Sequence, residues 1–317
     1  DNLTYDRGRE MSFHVDMAVP GHKPLEYVFH LTPSGASYSI SEEVLSQERE
    51  GYAEPFKHIE SDHGDIRYFN IEDGKLVRPN WPHNPLETSL SQVPKMYRQP
   101  EELRRIMSSA VQYHVLNVGE RDPVKLPQKM TPADLPGRDG EHLVPLLYYL
   151  RESDRERYES IEDTLRSGFP GFQNLNFPPV AAGMLTMTWN DKNFSTPLYT
   201  NQLSEGTLRF LWLTALLASP GIPTITMIDE PEVSLHPELL SLLADLMREA
   251  AQRTQLIVAT HSDRLVRFLE PSEVVVMDIE EDGSATAKWA DEMDLEQWLA
   301  EYTLDEVWMM GRMGGRS

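Results

Sequence analysis

The sequence predicts an α/β protein: a mostly parallel core sheet with flanking helices, plus an antiparallel β lobe and a helical lobe. Three observations predict it. Residues 11–80 alternate apolar and polar between turn signals, the pattern of half-buried antiparallel strands. Beyond residue 200, short apolar strands alternate with helical stretches, the rhythm of βαβ units around a buried parallel sheet. Two of those strands end in chemistry-bearing residues, Asp229-Glu230 and Thr260-His261-Ser262.

The antiparallel lobe (1–80) carries Phe13, Val15 and Met17, then Tyr27, Phe29 and Leu31, then Tyr38 and Ile40. Turns are expected at Pro20-Gly21, Pro33-Ser34-Gly35 and Asp73-Gly74. A helical lobe with its connections (81–199) follows. Its helices are expected from Pro100 to about Ala110, from His142 to Arg151 and from Asp154 to Ser167, and a strand from Ala182 to Trp189. Pro132, Pro136 and Gly137 mark a loop ending at Asp139-Gly140.

The core (200–290) is read as helix Thr207–Ala218, strand Thr224–Ile228, helix Pro237–Arg253, strand Gln255–Ala259, helix Asp263–Leu269 and strand Glu273–Ile279. All three strands are expected in one parallel sheet, with Gly283 as the turn after the last. The remainder (291–317) is read as an acidic helix, Met293–Tyr302, and a mobile tail.

Composition narrows the function. The 317 residues hold 29 Lys+Arg against 51 Asp+Glu, a formal net charge of -22, which counts against a general coat on nucleic acid but leaves a local basic groove open. A hydrophobic fraction of 40% is ample for a core. With no cysteine, disulfides, Cys-ligated zinc and iron–sulfur clusters are excluded. Phe210–Ile228 is uncharged for 19 residues, but Pro220, Gly221 and Pro223 break it, so a helix, a turn and a strand are expected in place of a membrane span. The polar, charged run Asp1–Glu10 has no signal-peptide pattern, and a cytoplasmic location is expected.

The candidate chemistry lies in three runs. Asp229 and Glu230 end a hydrophobic strand, the edge at which open α/β sheets place ligands. One carboxylate can hold Mg²⁺ through water; the other can orient or deprotonate an attacking water. In Leu203-Ser204-Glu205-Gly206-Thr207, Ser204 suits an N-cap and Gly206 admits close approach of a phosphate to helix amides. His261 follows a second strand, where it can contact a terminal phosphate. Simple capping, an acidic turn and a structural histidine are the bland readings of the same residues.

Taken together and in order, these runs resemble the C-terminal half of an ATP-binding-cassette-type ATPase head, a P-loop NTPase. Leu203–Thr207 resembles the signature motif, with Glu205 where transporters usually have Gly. Ile225–Glu230 resembles Walker B and the catalytic glutamate, Val233–Pro237 the D-loop, and His261 the switch histidine. Leu-Ser-Glu-Gly-Thr-Leu-Arg, Asp-Glu-Pro-Glu with Leu-His-Pro, and Ala-Thr-His-Ser are similar to the RecF/SMC-like predicted AAA-type ATPases, including OLD-like ATPase domains. The resemblance is specific over 200–280 and faint over 11–150.

That resemblance implies ATP and Mg²⁺ as cofactors, with Glu230 and His261 catalytic and Asp229 on the metal. It implies a head-to-head homodimer in which Leu203, Ser204, Glu205 and Gly206, with Ser234, Leu235 and His236 of the D-loop, face the ATP of the opposite subunit. No G-x-x-x-x-G-K-[ST] run occurs in the 317 residues. The expectation is that this phosphate loop precedes Asp1 on about eighty or ninety further residues, by the usual size of domains; the rival is a degenerate ATPase without it. Four functions stay open: an ATPase acting in DNA repair or foreign-DNA defence, an ATP-gated scaffold regulating an effector protein, a nucleotide binder without turnover, and a metal-dependent hydrolase.

Overall fold

The computed structural model describes residues 10–34, 37–84, 86–280 and 283–314. Asp1, Gly35 of the expected turn and the end of the tail, 315–317, lie outside the described residues. The chain forms two compact units, 1–108 and 109–317.

The first unit is an antiparallel meander with strands neighbouring in chain order: β1 (Met11–Met17), β2 (Leu25–Ser34), β3 (Ser37–Gln47), β4 (Phe56–Asp62), β5 (Asp65–Asn70) and β6 (Lys75–Val77). Helix α1 (Arg98–Ser108) follows. The expected turns form at Gly21 and Gly74, both with positive φ. Alternation places Leu25, Tyr27, Leu45, Ile59 and Tyr68 in one buried cluster with Leu90, Val93 and Leu103. Glu43, fully buried among them, accepts hydrogen bonds from Tyr27 Oη at 2.8 Å and from the amides of Ser89 and Leu90 at 2.6 and 2.8 Å. These charge-assisted bonds tie the segment after β6 to the sheet.

The second unit opens with β7 (Val111–Tyr113), β8 (Gln128–Lys129), α2 (Leu143–Ser153), α3 (Arg155–Gly168) and β9 (Phe172–Asn176). Then come β10 (Met184–Leu185), β11 (Thr188–Asp191), β12 (Leu198–Tyr199), α4 (Glu205–Ala218) and β13 (Ile225–Asp229). It continues with α5 (Leu240–Ala251), β14 (Gln255–Ala259), α6 (Asp263–Val266), β15 (Val275–Ile279), β16 (Ala285–Trp289), α7 (Glu296–Leu299) and α8 (Leu304–Met309). The parallel sheet runs β14-β13-β7. Helix α4 shares the core with Tyr113 and Ile228 of that sheet: its Leu208 and Phe210–Leu217 are all buried. A helix apolar on every side belongs inside a core. Trp212, 1% exposed, still reaches a polar partner, donating its Nε1 proton to the Gly137 carbonyl at 2.9 Å. Among the described residues no helix is long and apolar enough to cross a membrane.

Several sequence expectations change here. β15 does not join the parallel sheet; it forms an antiparallel hairpin with β16, turning at Gly283, and the third parallel strand is β7. Only five residues, 280–284, separate β15 from β16, so a hairpin closes at a lower entropic cost than a crossover. The strand expected over Ala182–Trp189 is split, because Ala182 and Gly183 both take positive φ and reverse the chain. β10 then pairs with β8, whereas β11 pairs with β9 and β12. The expected helix Asp263–Leu269 is regular only over α6, and Met293–Tyr302 shrinks to α7 before Thr303 opens α8 with a capping box. Within the tail, Met313 is 3% exposed and packs with Val266, Leu304 and Val307, and Trp308 Nε1 donates to the Gly314 carbonyl, so its described part is docked.

Two outcomes test this packing. Trp212→Ala removes a fully buried aromatic and should cost about 3–5 kcal/mol in denaturant unfolding. His58, 8% exposed, has its pKa lowered to about 4 by burial first and by the Arg49 charge second. The unfolded chain therefore takes up a proton below about pH 6.5 that the folded unit takes up only near its own lower value. Stability should fall as pH drops through that window, and His58→Gln should flatten the slope in urea unfolding series.

Candidate functional site

The register of the parallel sheet builds the site. Thr226, Met227 and Ile228 of β13 stand opposite Val111, Gln112 and Tyr113 of β7, and Asp229 stands opposite Ala259 of β14. One step further, the strand ends set His114, Asp229 and Ala259 level. His114 Nδ1 lies 3.5 Å from Asp229 Oδ2, both side chains being well exposed. With Arg209, Glu230 and Val233 they line one narrow cleft.

Beyond Asp229 the backbone turns sharply. The Glu230 amide still donates to the Ala259 carbonyl at 2.8 Å, one rung past β13, and then Glu230 takes φ +45. That is a strained conformation for a residue with a side chain, of the kind that gathers at functional sites. Buried Pro231 follows, and Glu232 Oε1 accepts from Thr260 Oγ1 at 2.5 Å. Thr260 Oγ1 in turn accepts from the Ser262 amide at 3.0 Å. The two loops that end β13 and β14 are thus bonded through side chains. His261, between Thr260 and Ser262, is exposed and makes no hydrogen bond or ion pair among the described residues.

A second group forms at the start of α4. Ser204 caps the helix, accepting from the Thr207 amide at 3.1 Å, while Leu203 is buried in the core and Glu205 is exposed. Gly206 lies against the loop after β13: a Cβ there would stand 2.5 Å from the Ser234 carbonyl oxygen, and Ser234 itself has φ +63. Arg209, one turn on from Glu205, joins three pieces. It donates to the Leu116 carbonyl at 3.1 Å and to Ser234 Oγ at 2.5 Å, with Glu205 at 3.9 Å. Leu235 packs on the core; His236 is exposed and caps the turn Pro237–Leu239.

The structure therefore brings Asp229, Glu230 and the His261 loop to one sheet edge. It brings Ser204, Glu205 and Gly206 to the Ser234–His236 loop. Sequence reading missed His114 and gave no role to Arg209 or to the Glu232–Thr260 bond. β7 is too short for a periodicity signal, and Arg209 was visible only as a basic residue four positions after Glu205.

Among the described residues no three His, Cys, Asp or Glu side chains form a metal cage. The exposed Asp229 carboxylate at a strand end nevertheless fits Mg²⁺, which takes one or two protein carboxylates and keeps its waters or binds substrate phosphates.

The loop-to-loop bond has a measurable weight. Thr260→Val leaves Glu232, whose Oε2 is already buried without a partner, wholly unsatisfied. It should destabilise the chain by about 1–3 kcal/mol in equilibrium unfolding, whereas Thr260→Ser should retain most of the stability.

Comparison with known proteins agrees with this geometry. A family profile described as "AAA domain, putative AbiEii toxin, Type IV TA system" matches residues 4–267. A comparison with curated proteins returns no match. The SMC head domain from Thermotoga maritima is 12% identical, over 83% of this chain and 73% of that one, at a TM-score of 0.35. The Smc head from Pyrococcus furiosus bound to the C-terminal domain of ScpA is also 12% identical, over 88% of this chain and 79% of that one, at 0.38. An SmcHead bound to the C-winged helix domain of ScpA is 13% identical, over 89% and 79%, at 0.39. The family match carries the assignment: this α/β chain belongs to the AAA-domain family that the profile describes.

Proposed function

We propose that the protein binds and hydrolyses ATP as a head that dimerises around the nucleotide and switches on hydrolysis. The observation that carries this reading is the strand-end arrangement: Asp229 and Glu230 at the end of β13, with His261 on the loop bonded to theirs through Glu232 and Thr260. Glu230 orients the attacking water and takes its proton as the water oxygen attacks the terminal phosphorus and the bond to the leaving ADP oxygen breaks. Asp229 would hold Mg²⁺, which would supply positive charge against the phosphates. His261 contacts the terminal phosphate and registers its loss.

The α4 N-terminus acts across the dimer. Ser204, Glu205 and Gly206 face the ATP of the opposite subunit at the helix start, with Leu203 anchoring them in the core, and Ser234, Leu235 and His236 lie beside them at the same junction. Arg209 positions both loops. ATP thereby joins two heads, and hydrolysis releases them. The setting is cytoplasmic DNA repair or defence against foreign DNA. A second reading, an ATP-gated scaffold that regulates an effector protein without touching DNA, is favoured by the net charge of -22.

In the full-length protein, Glu230→Gln should lower phosphate release by about a hundredfold or more while an ATP-bound dimer accumulates on size exclusion. Unchanged phosphate release would remove Glu230 from the mechanism. DNA binding that weakens steeply with salt supports the first setting; no binding at low salt with ATP present supports the regulatory one.

A further inference from the structure

The N-terminal unit holds a cavity of about 780 Å³ that the ATPase reading does not use. It lies between the β1–β2 turn, the end of β3, strands β4 and β5, and the start of α1. Its size is that of a small-ligand site.

Its lining is cationic in an acidic chain. Lys23, Arg49 and Arg98 all border it, and among the described residues none of the three forms an ion pair. Nearby cations differ: Arg67 and Arg78 share Asp65, and Arg104 is bonded to Glu101. Glu48 and Glu50 line it as well, so the site is a mixed one with a small excess of positive charge. Arg49 lies over the Phe56 ring at 3.8 Å, which holds its guanidinium in place.

The backbone adds to this. Arg98, Gln99 and Pro100, the first turn of the eleven-residue α1, border the cavity. The Glu101 amide is the first to bond back, to the Tyr97 carbonyl, so the amides of Arg98 and Gln99 have no acceptor within the helix. A helix start of this kind attracts anions. An independent feature points the same way. His58 borders the cavity, is 8% exposed, and has a buried Nε2 without a hydrogen-bond partner among the described residues. Buried polar atoms are ordinarily paired, so the ring stands at the cavity wall with one polar atom unsatisfied. Part of the lining is apolar and uncovered: Ile71 is 81% and Met96 78% exposed.

We propose that this cavity binds a nucleotide, its phosphate taken by Lys23, Arg98 and the first turn of α1, and its base covered by Ile71 and Met96. The shared chemistry is a phosphate ester carrying a planar ring, supplied either as a free mononucleotide or as the 5′-phosphorylated end of a strand. The assignment rests on the N-terminal unit alone and stands apart from the ATPase reading.

Calorimetric titration of the whole protein with AMP, adenosine, inorganic phosphate and a 5′-phosphorylated hexathymidylate tests it. AMP should bind saturably and more tightly than phosphate or adenosine. Lys23→Ala and Arg98→Ala should each weaken AMP about tenfold or more, as loss of a charged hydrogen bond does. Arg67→Ala, which disturbs a cation outside the cavity, should bind as wild type does, and so should Glu230→Gln, which lies in the other unit. Tighter binding of the oligonucleotide than of AMP assigns the strand end; equal or weaker binding assigns the free nucleotide. AMP should also shift the NMR resonances of the His58 ring, a readout that does not depend on how the variants fold. The proposal is overturned by no saturable AMP binding at millimolar concentration, by phosphate binding as tightly as AMP, or by Lys23 and Arg98 variants that bind normally.

Discussion

The in-register parallel pairing of β13 with β14 is the constraint on which the candidate site depends. Five consecutive residue pairs fix it, from Ile225 opposite Gln255 to Asp229 opposite Ala259. A slip of one residue would turn Ile228 and Thr226 out of the core and send Asp229 to the other face. The slip is opposed by the core, in which Ile228 and Tyr113 cluster with the buried side chains of α4, the Tyr113 ring 5.8 Å from that of Trp212. It is opposed from the side by Thr254, whose hydroxyl donates to the Pro223 carbonyl at 2.6 Å and lies 3.1 Å from Thr226 Oγ1. The position of a carboxylate at the strand end is therefore set by apolar packing and threonine hydrogen bonds a full strand length away.

Much of this was legible in the sequence, and the reasons differ from place to place. The meander was legible because Leu25, Tyr27, Leu45, Ile59 and Tyr68 bury one face only, and period-two patterning survives in such strands. Strand β14 matched its sequence limits because it is bounded by Thr254 and by the Thr260-His261 loop. The Asp229-Glu230 pair was legible because a hydrophobic strand cannot bury two adjacent carboxylates and must deliver them to its end. What was not legible depended on partners distant in sequence. β7 has three residues and reads as a strand only beside β13. β15 looks like a parallel strand by composition, yet its hydrogen bonds go to β16. Neither His114 near Asp229 nor Thr260 on Glu232 follows from local pattern, since each is a product of register.

Charge is arranged unevenly. A net charge of -22 repels polyanions at long range, and screening confines that repulsion to about a Debye length, near 10 Å at ordinary salt. Local features set what happens inside that distance. In the first unit, buried Glu43 is consumed by internal hydrogen bonds and presents nothing to solvent, while Lys23, Arg49 and Arg98 form no ion pair among the described residues. An acidic chain can in this way keep a small recess bordered by cations.

The contact between Gly206 and the Ser234 carbonyl has a mechanical consequence. Two backbones that approach this closely, with Arg209 bonded to both the loop and the Leu116 carbonyl, leave no free volume for one to slide past the other. The start of α4 and the loop after β13 thus form one stiff corner. A side chain at position 206 would have to part the two, since its Cβ would stand 2.5 Å from the Ser234 carbonyl oxygen.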